Sequence, residues 1–346
     1  MMQISPETQL FIREHSSDDV RALALQAKKF PDIDMPTAIT QIAGRKVAAE
    51  KIPSWWEIEK IWYPKHLSLE QCSSEITARY KARLLQGDSL TDLTGGFGID
   101  CSFLATGFKS ATYVERQEEL CEIAAHNFPV LNLNHINIRN EDGVTYLQAM
   151  SPVDCLFLDP ARRNEHGGKT VAISDCEPNV AELEELLLQK ANRVMIKLSP
   201  MLDLSLALKE LKQTQEVHIL SVNNECKELL ILLGQTSPTE ISIHCVNLST
   251  KGTQEEQHFV FTREQEQCSE CTYTDSLETY LYEPNASLLK AGAFRSIAAA
   301  YPVRKLHPNS HLYTSDTFIE NFPGRIFRIV NQCSFNKKEV KENLAD

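Results

Sequence analysis

Glycine and acidic residues are concentrated in one short segment, TDLTGGFGID, at residues 91–100. The segment follows an apolar run and precedes a stretch with helical spacing. Gly95, Gly96 and Gly98 permit a tight turn and let the main chain come close to a ligand. The N-terminus of the following helix can receive an anionic group. The segment predicts a site for a nucleotide-like ligand, and a glycine-rich turn without a ligand is the alternative.

The spacing of the glycines bears on which ligand this would be. A dinucleotide-binding loop has the pattern G-x-G-x-x-G, whereas this loop has the pattern D-x-x-x-G-x-G from Asp92 to Gly98. The pattern favours S-adenosylmethionine over NAD. We predict cofactor contacts from Asp92 and the three glycines, and also from Thr94 and Asp100.

Acidic residues also end the next two candidate strands, ATYVE and INIRN. Glu115 ends the first, where a carboxylate can accept hydrogen bonds from both ribose hydroxyls. Asp142 follows the second, where it could bind the adenine amino group. Each has a structural alternative: Glu115 can interact with the dipole of the next helix, and Asp142 can cap the helix VTYLQAM.

A fourth candidate strand, VDCLFL, runs into Asp159 and Pro160. In open α/β folds, ligands bind at the carboxyl ends of the strands. We therefore expect substrate to meet cofactor at Asp159, whose carboxylate could accept a hydrogen bond from a substrate amine. Lys197 lies near the end of the next apolar strand, RVMIKLS, and a buried lysine is costly unless it is paired or functional. It is predicted either to face substrate or to lie exposed at the strand end.

Two arginines, Arg162 and Arg163, follow the Asp-Pro pair. They could contact a substrate phosphate. The alternative is pairing with nearby acids such as Asp175 or Glu177. The catalytic candidates are therefore Asp159, Pro160, Arg162 and Lys197.

The elements that must position these residues are visible between residues 71 and 235. Short apolar runs alternate there with amphipathic helical windows, which is typical of βαβ units. This pattern predicts a doubly wound α/β domain with a parallel, Rossmann-like sheet. The strand candidates are SLTDL, ATYVE, INIRN, VDCLFLD, RVMIKLS, EVHILSV and ELLILLG, and the helices include QEELCEIAAHNF and VAELEELLLQ.

The two ends of the chain differ from this central domain. Residues 1–70 predict a helical domain in which a cluster of aromatic residues, Trp55, Trp56, Trp62 and Tyr63, is expected to fill a core rather than to stack on nucleobases. Residues 236–346 predict a C-terminal α+β module of short strands around one helix, SLLKAGAFRSIAAAY. The polar segment REQEQCSECTYTD is expected to be a loop.

Composition limits the class of protein. The hydrophobic fraction of 42% and charged fraction of 24% are those of a globular protein. A net charge of -12 excludes a broadly basic surface, so RNA would need a local patch. No metal is expected, because the pair Cys268 and Cys271 lacks two further ligands at suitable spacing. The start of the chain carries no secretory signal and no apolar run could span a membrane, so the cytoplasm is expected.

The motifs together resemble a known family. DLTGGFGID, VE, EDG and LDPARR, in this order, resemble the motifs of class I S-adenosylmethionine-dependent methyltransferases. The chain as a whole, including LSLEQCSSEITARYKARLL, EPNASLLKAGAFRSIA, HPNSHLYTSD and FPGRIFRI, is similar to bacterial methyltransferases with a THUMP-like C-terminal domain. The resemblance covers nearly the full length. It implies S-adenosylmethionine as cofactor, a ferredoxin-like or THUMP-like C-terminal region, and RNA as substrate.

The target atom is narrowed by a missing cysteine. LDPAR is similar to a segment of the 5-methyluridine RNA methyltransferases, which carry a nucleophilic cysteine just after the next strand. This chain has MIKLSP there, at residues 195–200, and a serine hydroxyl cannot readily replace a thiolate. Methylation at a nitrogen is therefore expected, because this reaction depends mainly on alignment of the substrate amine with the sulfonium methyl group. The Asn/Asp-Pro-Pro-aromatic motif of aminomethyltransferases is only partly matched at residues 159–162.

Two alternatives stay open at this point. One is a methyltransferase for a small molecule or a protein, whose acidic surface excludes RNA. The other is a non-catalytic module that keeps the fold and binds the cofactor without transferring its methyl group.

Overall fold

The computed structural model describes residues 4–162, 172–236, 238–251 and 256–334, and also residues 336, 337, 339 and 341. The chain forms two compact units. The first comprises residues 1–214 and 231–237, and the second comprises residues 215–230 and 238–346. The division into domains at residues 70 and 235 stays a prediction.

Several helices within the described residues begin at a polar side chain that caps their first main-chain N–H groups. Asp19, for example, caps the second helix by accepting hydrogen bonds from the main-chain N–H groups of Arg21 and Ala22. The helices are α1 (Pro6–Glu14), α2 (Val20–Leu25), α3 (Met35–Lys51), α4 (Pro53–Trp56), α5 (His66–Gln71), α6 (Glu75–Ala82), α7 (Ile99–Ala105), α8 (Glu118–Val130), α9 (Gly143–Ala149), α10 (Val180–Lys190), α11 (Leu204–Glu210), α12 (Arg263–Cys268), α13 (Ala286–Ala291) and α14 (Ser296–Ala300).

The strands include every run that the sequence predicts. They are β1 (Ser89–Asp92), β2 (Ser110–Glu115), β3 (Ile136–Asn140), β4 (Val153–Leu158), β5 (Ala161–Arg162), β6 (Cys176–Glu177), β7 (Ala191–Leu198), β8 (Thr214–Val222), β9 (Glu225–Gly234), β10 (Ser242–Leu248), β11 (Gln257–Thr262), β12 (Tyr280–Pro284), β13 (Arg304–Lys305), β14 (Tyr313–Ser315) and β15 (Gly324–Arg328).

The main sheet has nine strands in the order β11-β10-β8-β9-β7-β4-β1-β2-β3. Strands β3, β2, β1, β4 and β7 are parallel neighbours. Strands β4 and β7 are buried at nearly every position toward their carboxyl ends, which explains their continuous apolar sequences. The predicted fold class, a mostly parallel α/β sheet with helices, is confirmed.

The N-terminal helices form two apolar clusters within the first unit. One contains Phe11, Met35 and Ile42. The other brings Trp55 and Tyr63 together with Phe97 of the glycine-rich segment, and the Trp55 and Phe97 rings lie 5.2 Å apart. The expected core role is therefore observed for Trp55 and Tyr63. These helices pack directly against the loop predicted to bind the cofactor.

The other two residues of the aromatic cluster lie closer to the surface. Trp56 is 42% exposed, and the guanidinium of Arg45 lies 5.6 Å from its ring centroid. Trp62 stacks on the ring of His126 at 3.7 Å.

The second unit contains a four-stranded sheet with the order β13-β14-β12-β15, around buried Tyr282 and Tyr313. Two sequence predictions are wrong in detail here. The expected single helix is two helices, α13 and α14, because Gly292 adopts a left-handed φ of 77° between them. The expected loop begins as helix α12, which Thr262 caps.

Two negative findings concern the described residues. No disulfide joins the ten cysteines, all of which fall within the described ranges. Among the described helices, none has the length and apolar character needed to cross a membrane.

Candidate functional site

The parallel register brings the carboxyl ends of the central strands to one edge of the sheet. Asp92 at the end of β1 is paired with Tyr113 on β2 and with Phe157 on β4. The main-chain N–H of Asp159 then donates to Thr94 Oγ1 at 2.6 Å. The loops after β1 and β4 are therefore in contact, as the sequence predicts for a site shared by cofactor and substrate.

The glycine turn is shaped by Tyr113. A Cβ atom on Gly95 would lie 2.3 Å from Cε2 of the Tyr113 ring, so only glycine fits there. The Tyr113 hydroxyl donates to the carbonyl oxygen of Gly96 at 2.5 Å. Gly96 and Gly98 have φ values of 54° and 88°, which favour glycine. Around Gly96 the nearest atom to a built Cβ is the Thr94 carbonyl oxygen at 3.8 Å, so the turn is open on that side.

Glu115 holds this turn in place. Its Oε2 accepts a hydrogen bond from the N–H of Gly96 at 2.9 Å, and its Oε1 accepts one from the N–H of Gln117 at 2.8 Å. The second bond places the carboxylate at the start of α8, in agreement with the predicted interaction between Glu115 and the dipole of that helix. Each carboxylate oxygen has a further lone pair. The ribose contact thus stays a prediction that this geometry permits.

Asp92 is the least satisfied acid of the site. Its side chain is buried, and Oδ1 accepts a hydrogen bond from the N–H of Thr94 at 3.0 Å. Oδ2 has no hydrogen-bond partner among the described residues. Burial raises the pKa of Asp92 to about 8, against the lowering effect of the Thr94 N–H. A buried carboxylate oxygen of this kind is costly, and a cationic ligand group would satisfy it.

Behind the turn lies a buried ionic cluster formed by Ser73, Lys81, Asp100, Asp159 and Lys197. Lys197 Nζ lies 2.5 Å from Asp159 Oδ2 and 3.4 Å from Asp100 Oδ2. Lys81 Nζ lies 2.8 Å from Asp100 Oδ1. The Ser73 hydroxyl donates to Asp100 at 2.7 Å and accepts from both lysines at 2.8 and 3.1 Å. Two cations and two anions thus compensate one another.

The pKa values in the cluster follow from this pairing. Burial alone would raise the pKa of Asp100, but the ammonium groups of Lys81 and Lys197 outweigh burial and lower the pKa to about 2. Burial raises the pKa of Asp159, and Lys197 offsets that effect only in part. The side chain of Asp159 is 37% exposed, whereas that of Lys197 is 9% exposed. Asp159 is therefore the member of the cluster that solvent or a substrate can reach.

The structure places the remaining predicted residues as follows. Asp142 is exposed and caps α9 by accepting from the N–H of Thr145 at 2.9 Å, so its structural alternative is realised. Its adenine contact stays a prediction. Pro160 is buried, and the main chain of Arg162 pairs with Cys176 in a two-stranded sheet. The side chain of Arg162 and all of Arg163 lie outside the described residues.

Lys81 and Ser73 are members of the cluster that sequence reasoning missed. Lys81 is fully buried on α6, four positions after Thr77 and three after Ala78, both also buried. A lysine on the apolar face of an amphipathic helix was the available signal. Its partner Asp100 could not be found in this way, because the pairing depends on contact between α6 and α7.

A mostly parallel sheet whose acidic strand ends surround an open glycine turn is typical of the Rossmann-like class of α/β folds. A family of ferredoxin-like domains matches residues 280–323. No curated protein matches the chain significantly in sequence. The chain is similar to a protein from Porphyromonas gingivalis W83 that is proposed to be a methyltransferase. The two sequences are 34% identical, and the match covers 99% of this chain and 86% of that chain, with a TM-score of 0.85. The chain belongs to the family of that protein.

Other solved structures have lower sequence identity to this chain and lower TM-scores. An rRNA methylase from Streptococcus thermophilus has 14% identity, with 46% of this chain and 93% of that chain covered, and a TM-score of 0.33. A proposed methyltransferase from Streptococcus mutans, in complex with SAH, has 14% identity, with 46% and 96% covered, and a TM-score of 0.34.

Proposed function

We propose that this protein is an S-adenosylmethionine-dependent methyltransferase that methylates RNA at a nitrogen atom. The observation that carries the proposal is the buried, half-satisfied carboxyl group of Asp92 beside the open glycine turn at Gly96. The Asp159 and Lys197 pair adjoins this turn through Thr94. Membership in a family with a proposed methyltransferase supports the same reaction.

The residues present fit this cofactor. S-adenosylmethionine supplies an electrophilic methyl group on a positively charged sulfonium. Asp92 would hold the positive charge of the cofactor, since its buried carboxylate gains most from a cationic neighbour. Glu115 would bind the ribose hydroxyls with its remaining lone pairs while keeping the turn in place. Asp142 would bind the adenine amino group from the edge of the site.

Asp159 is the residue proposed to orient the substrate. Its side chain is partly exposed, and Lys197 fixes it from the buried side. A carboxylate held in this way can accept a hydrogen bond from a substrate amine and hold its nitrogen in line for transfer. Lys197 thus acts as a positioning residue, with Asp100 and Ser73 behind it.

A covalent cysteine mechanism is disfavoured by the state of a thiol near the ionic cluster, that of Cys72. Cys72 is close enough to the ionic cluster for Asp100, Lys197 and Lys81 to influence it. Burial raises the pKa of Cys72 to about 11, and its Sγ donates to the Leu69 carbonyl oxygen. A thiol in this state supplies little thiolate near neutral pH. This favours a nitrogen target over carbon 5 of a pyrimidine.

A local patch in the second unit supports RNA as the substrate. The edge strand β15 carries Arg325, with 57% of its side chain exposed, and Phe327, which is 44% exposed. The Arg325 guanidinium lies 5.8 Å from the centroid of the Phe327 ring and pairs with Glu283 at 2.6 Å, so a phosphate would compete with that carboxylate. Exposed arginine and aromatic groups together can contact phosphate and stack on bases. Such a patch could act despite the net charge of -12.

Calorimetry with S-adenosylmethionine tests the cofactor site. We expect Asp92→Asn and Glu115→Gln each to weaken binding by at least about tenfold, the loss of one charge-assisted contact. Asp88→Asn is the matched control, because Asp88 is exposed and immediately precedes β1. Unchanged affinity in both site variants would refute the assignment.

Labelled cofactor tests the substrate. Label transferred to total RNA, and found as an N-methylated nucleoside by mass spectrometry, would support the proposal. Label that enters only a metabolite extract or a protein fraction would overturn the RNA substrate. Cofactor binding without transfer to any pool would instead indicate a non-catalytic module.

A further inference from the structure

A cluster of potential metal ligands lies on three neighbouring strands of the second unit. Glu216 and His218 are on β8, His244 is on β10 and His258 is on β11. His244 is directly opposite His218 in the parallel register. His258 pairs with Val246, two positions after His244, in the antiparallel register. Since side chains alternate between the faces of a strand, all four lie on the same face.

The ligand atoms are close together. His218 Nε2 lies 3.2 Å from Glu216 Oε2, and His244 Nδ1 lies 3.2 Å from His258 Nε2. The rings of His218 and His244 are stacked with centroids 4.3 Å apart. One ligand atom from each of Glu216, His218 and His244 lies within 4.8 Å of the others.

These distances suit a small metal ion. With bonds of about 2.0–2.2 Å, tetrahedral donors lie roughly 3.3–3.6 Å apart. The two pairs at 3.2 Å are already close to that spacing, and small side-chain rotations would bring the remaining atoms together. Imidazole nitrogens with one carboxylate are donors for Zn²⁺ and its neighbours, whereas Mg²⁺ and Ca²⁺ take oxygen ligands. The donor set therefore selects a first-row transition metal.

The surroundings also suit such an ion. His218 is 3% exposed and His244 is partly buried, whereas His258 is exposed, so an ion can reach the cluster from one side. The strands fix the spacing of the four side chains, because each is held by main-chain pairing to its neighbour. A hydrogen-bond partner for one of the proposed ligands is present as well. Ser242 Oγ lies 3.2 Å from His244 Nε2 and can orient that imidazole ring.

We propose that Glu216, His218 and His244 bind a divalent transition-metal ion, with His258 as the fourth ligand. Four protein ligands make a closed, structural site. The ion would join β8, β10 and β11 and stabilise this unit. The sequence predicts no metal at the Cys268 and Cys271 pair and gives no sign of this cluster. The spacing of these four residues becomes informative only when strand register is known.

The test uses the full chain after treatment with a chelator, titrated with Zn²⁺ in a calorimeter. We expect one ion to bind, and Glu216→Gln and His244→Ala to weaken binding by at least about a hundredfold, since losing even an outer partner costs about 10- to 100-fold. Zn²⁺ should raise the melting temperature of the natural protein and not that of His244→Ala. Glu216→Gln keeps the side-chain shape, so it tests the site even if His244→Ala does not fold.

Two controls separate this site from other ligands. His307→Ala removes an exposed histidine of the same unit and should leave binding unchanged. Cys268→Ser with Cys271→Ser removes the thiol pair and should also leave it unchanged. Co²⁺ should give visible absorption bands of a tetrahedral site without thiolate charge-transfer bands. Absence of Zn²⁺ binding, equal affinity in His244→Ala, or loss of binding in the double cysteine variant would overturn the proposal.

Discussion

The substitution Asp92→Asn tests the electrostatics at the centre of the proposed cofactor site. Burial raises the pKa of Asp92 to about 8, whereas its ordinary value is 3.8. The folded protein therefore keeps a proton that the unfolded chain releases above about pH 4. The contribution of Asp92 to stability is most favourable below pH 4 and is progressively lost as the pH rises through about 8. Asparagine keeps the acceptor for the Thr94 N–H and does not titrate.

The size of the effect follows from one proton. Each pH unit between the two pKa values changes the free energy of unfolding by about 1.4 kcal/mol, the value for one proton. Between pH 5 and pH 7, Asp92→Asn should thus gain about 3 kcal/mol relative to the natural protein. At about 2–4 °C per kcal/mol, its melting temperature should gain roughly 6–12 °C over the same range.

Urea and thermal unfolding at pH 5, 6 and 7, without cofactor, measure this difference. Asp88→Asn serves as control, since its carboxylate is 69% exposed and pairs with Lys109, itself exposed, at 2.8 Å. The control should change the free energy of unfolding by less than about 0.5 kcal/mol, independent of pH. A difference between Asp92→Asn and the natural protein that does not vary from pH 5 to pH 7 would refute the assigned burial of this carboxyl group.

Three further predictions concern the surroundings of the site. Gly95→Ala should lower the free energy of unfolding in urea by about 1–3 kcal/mol, because its Cβ would overlap the Tyr113 ring. Gly107→Ala is the control, since a Cβ there would lie 3.7 Å from its nearest neighbour, the Leu104 carbonyl oxygen. An equal effect of both substitutions would contradict the packing argument. Lys197→Met should lower the free energy of unfolding by about 3–5 kcal/mol and abolish methyl transfer, because it leaves Asp100 and Asp159 with one cation. The control, Lys109→Met at an exposed position, should lower it by less than about 1 kcal/mol. A similar loss of stability in both variants would exclude a buried ion cluster. Cys72→Ser should keep the rate of methyl transfer, measured as labelled product, within about twofold of the natural rate, which is about 0.4 kcal/mol in activation free energy. Loss of transfer while cofactor binding is intact would show that the thiol takes part in the reaction.

Much of the central domain was predictable from local pattern. The run INIRN coincides with β3, and the apolar positions Leu120, Ile123 and Phe128 of α8 are all buried. Short buried strands and amphipathic helices leave distinct periodicities, which survive without knowledge of the partners. The positions of Asp92, Glu115 and Asp159 at strand ends follow from the same pattern, because parallel strands present their carboxyl ends at one edge.

Local pattern did not show how the C-terminal strands pair. Strands β10 and β11 extend the main sheet, whereas β12 to β15 form a small sheet of their own. Both groups have the same short apolar runs in sequence. Which sheet a strand joins depends on its register with distant partners, and this information is not present in its own residues.

The sequence by itself determined the residue types and the order of the strand ends, because hydrophobic periodicity and glycine spacing are properties of neighbouring positions. Only the tertiary structure decided which charges meet. Lys81 and Lys197 come from a helix and a strand far apart in the chain, yet both neutralise Asp100. Likewise His218 and His244 face one another only through strand register. Pairings of this kind depend on long-range packing, which brings together side chains that no local spacing relates.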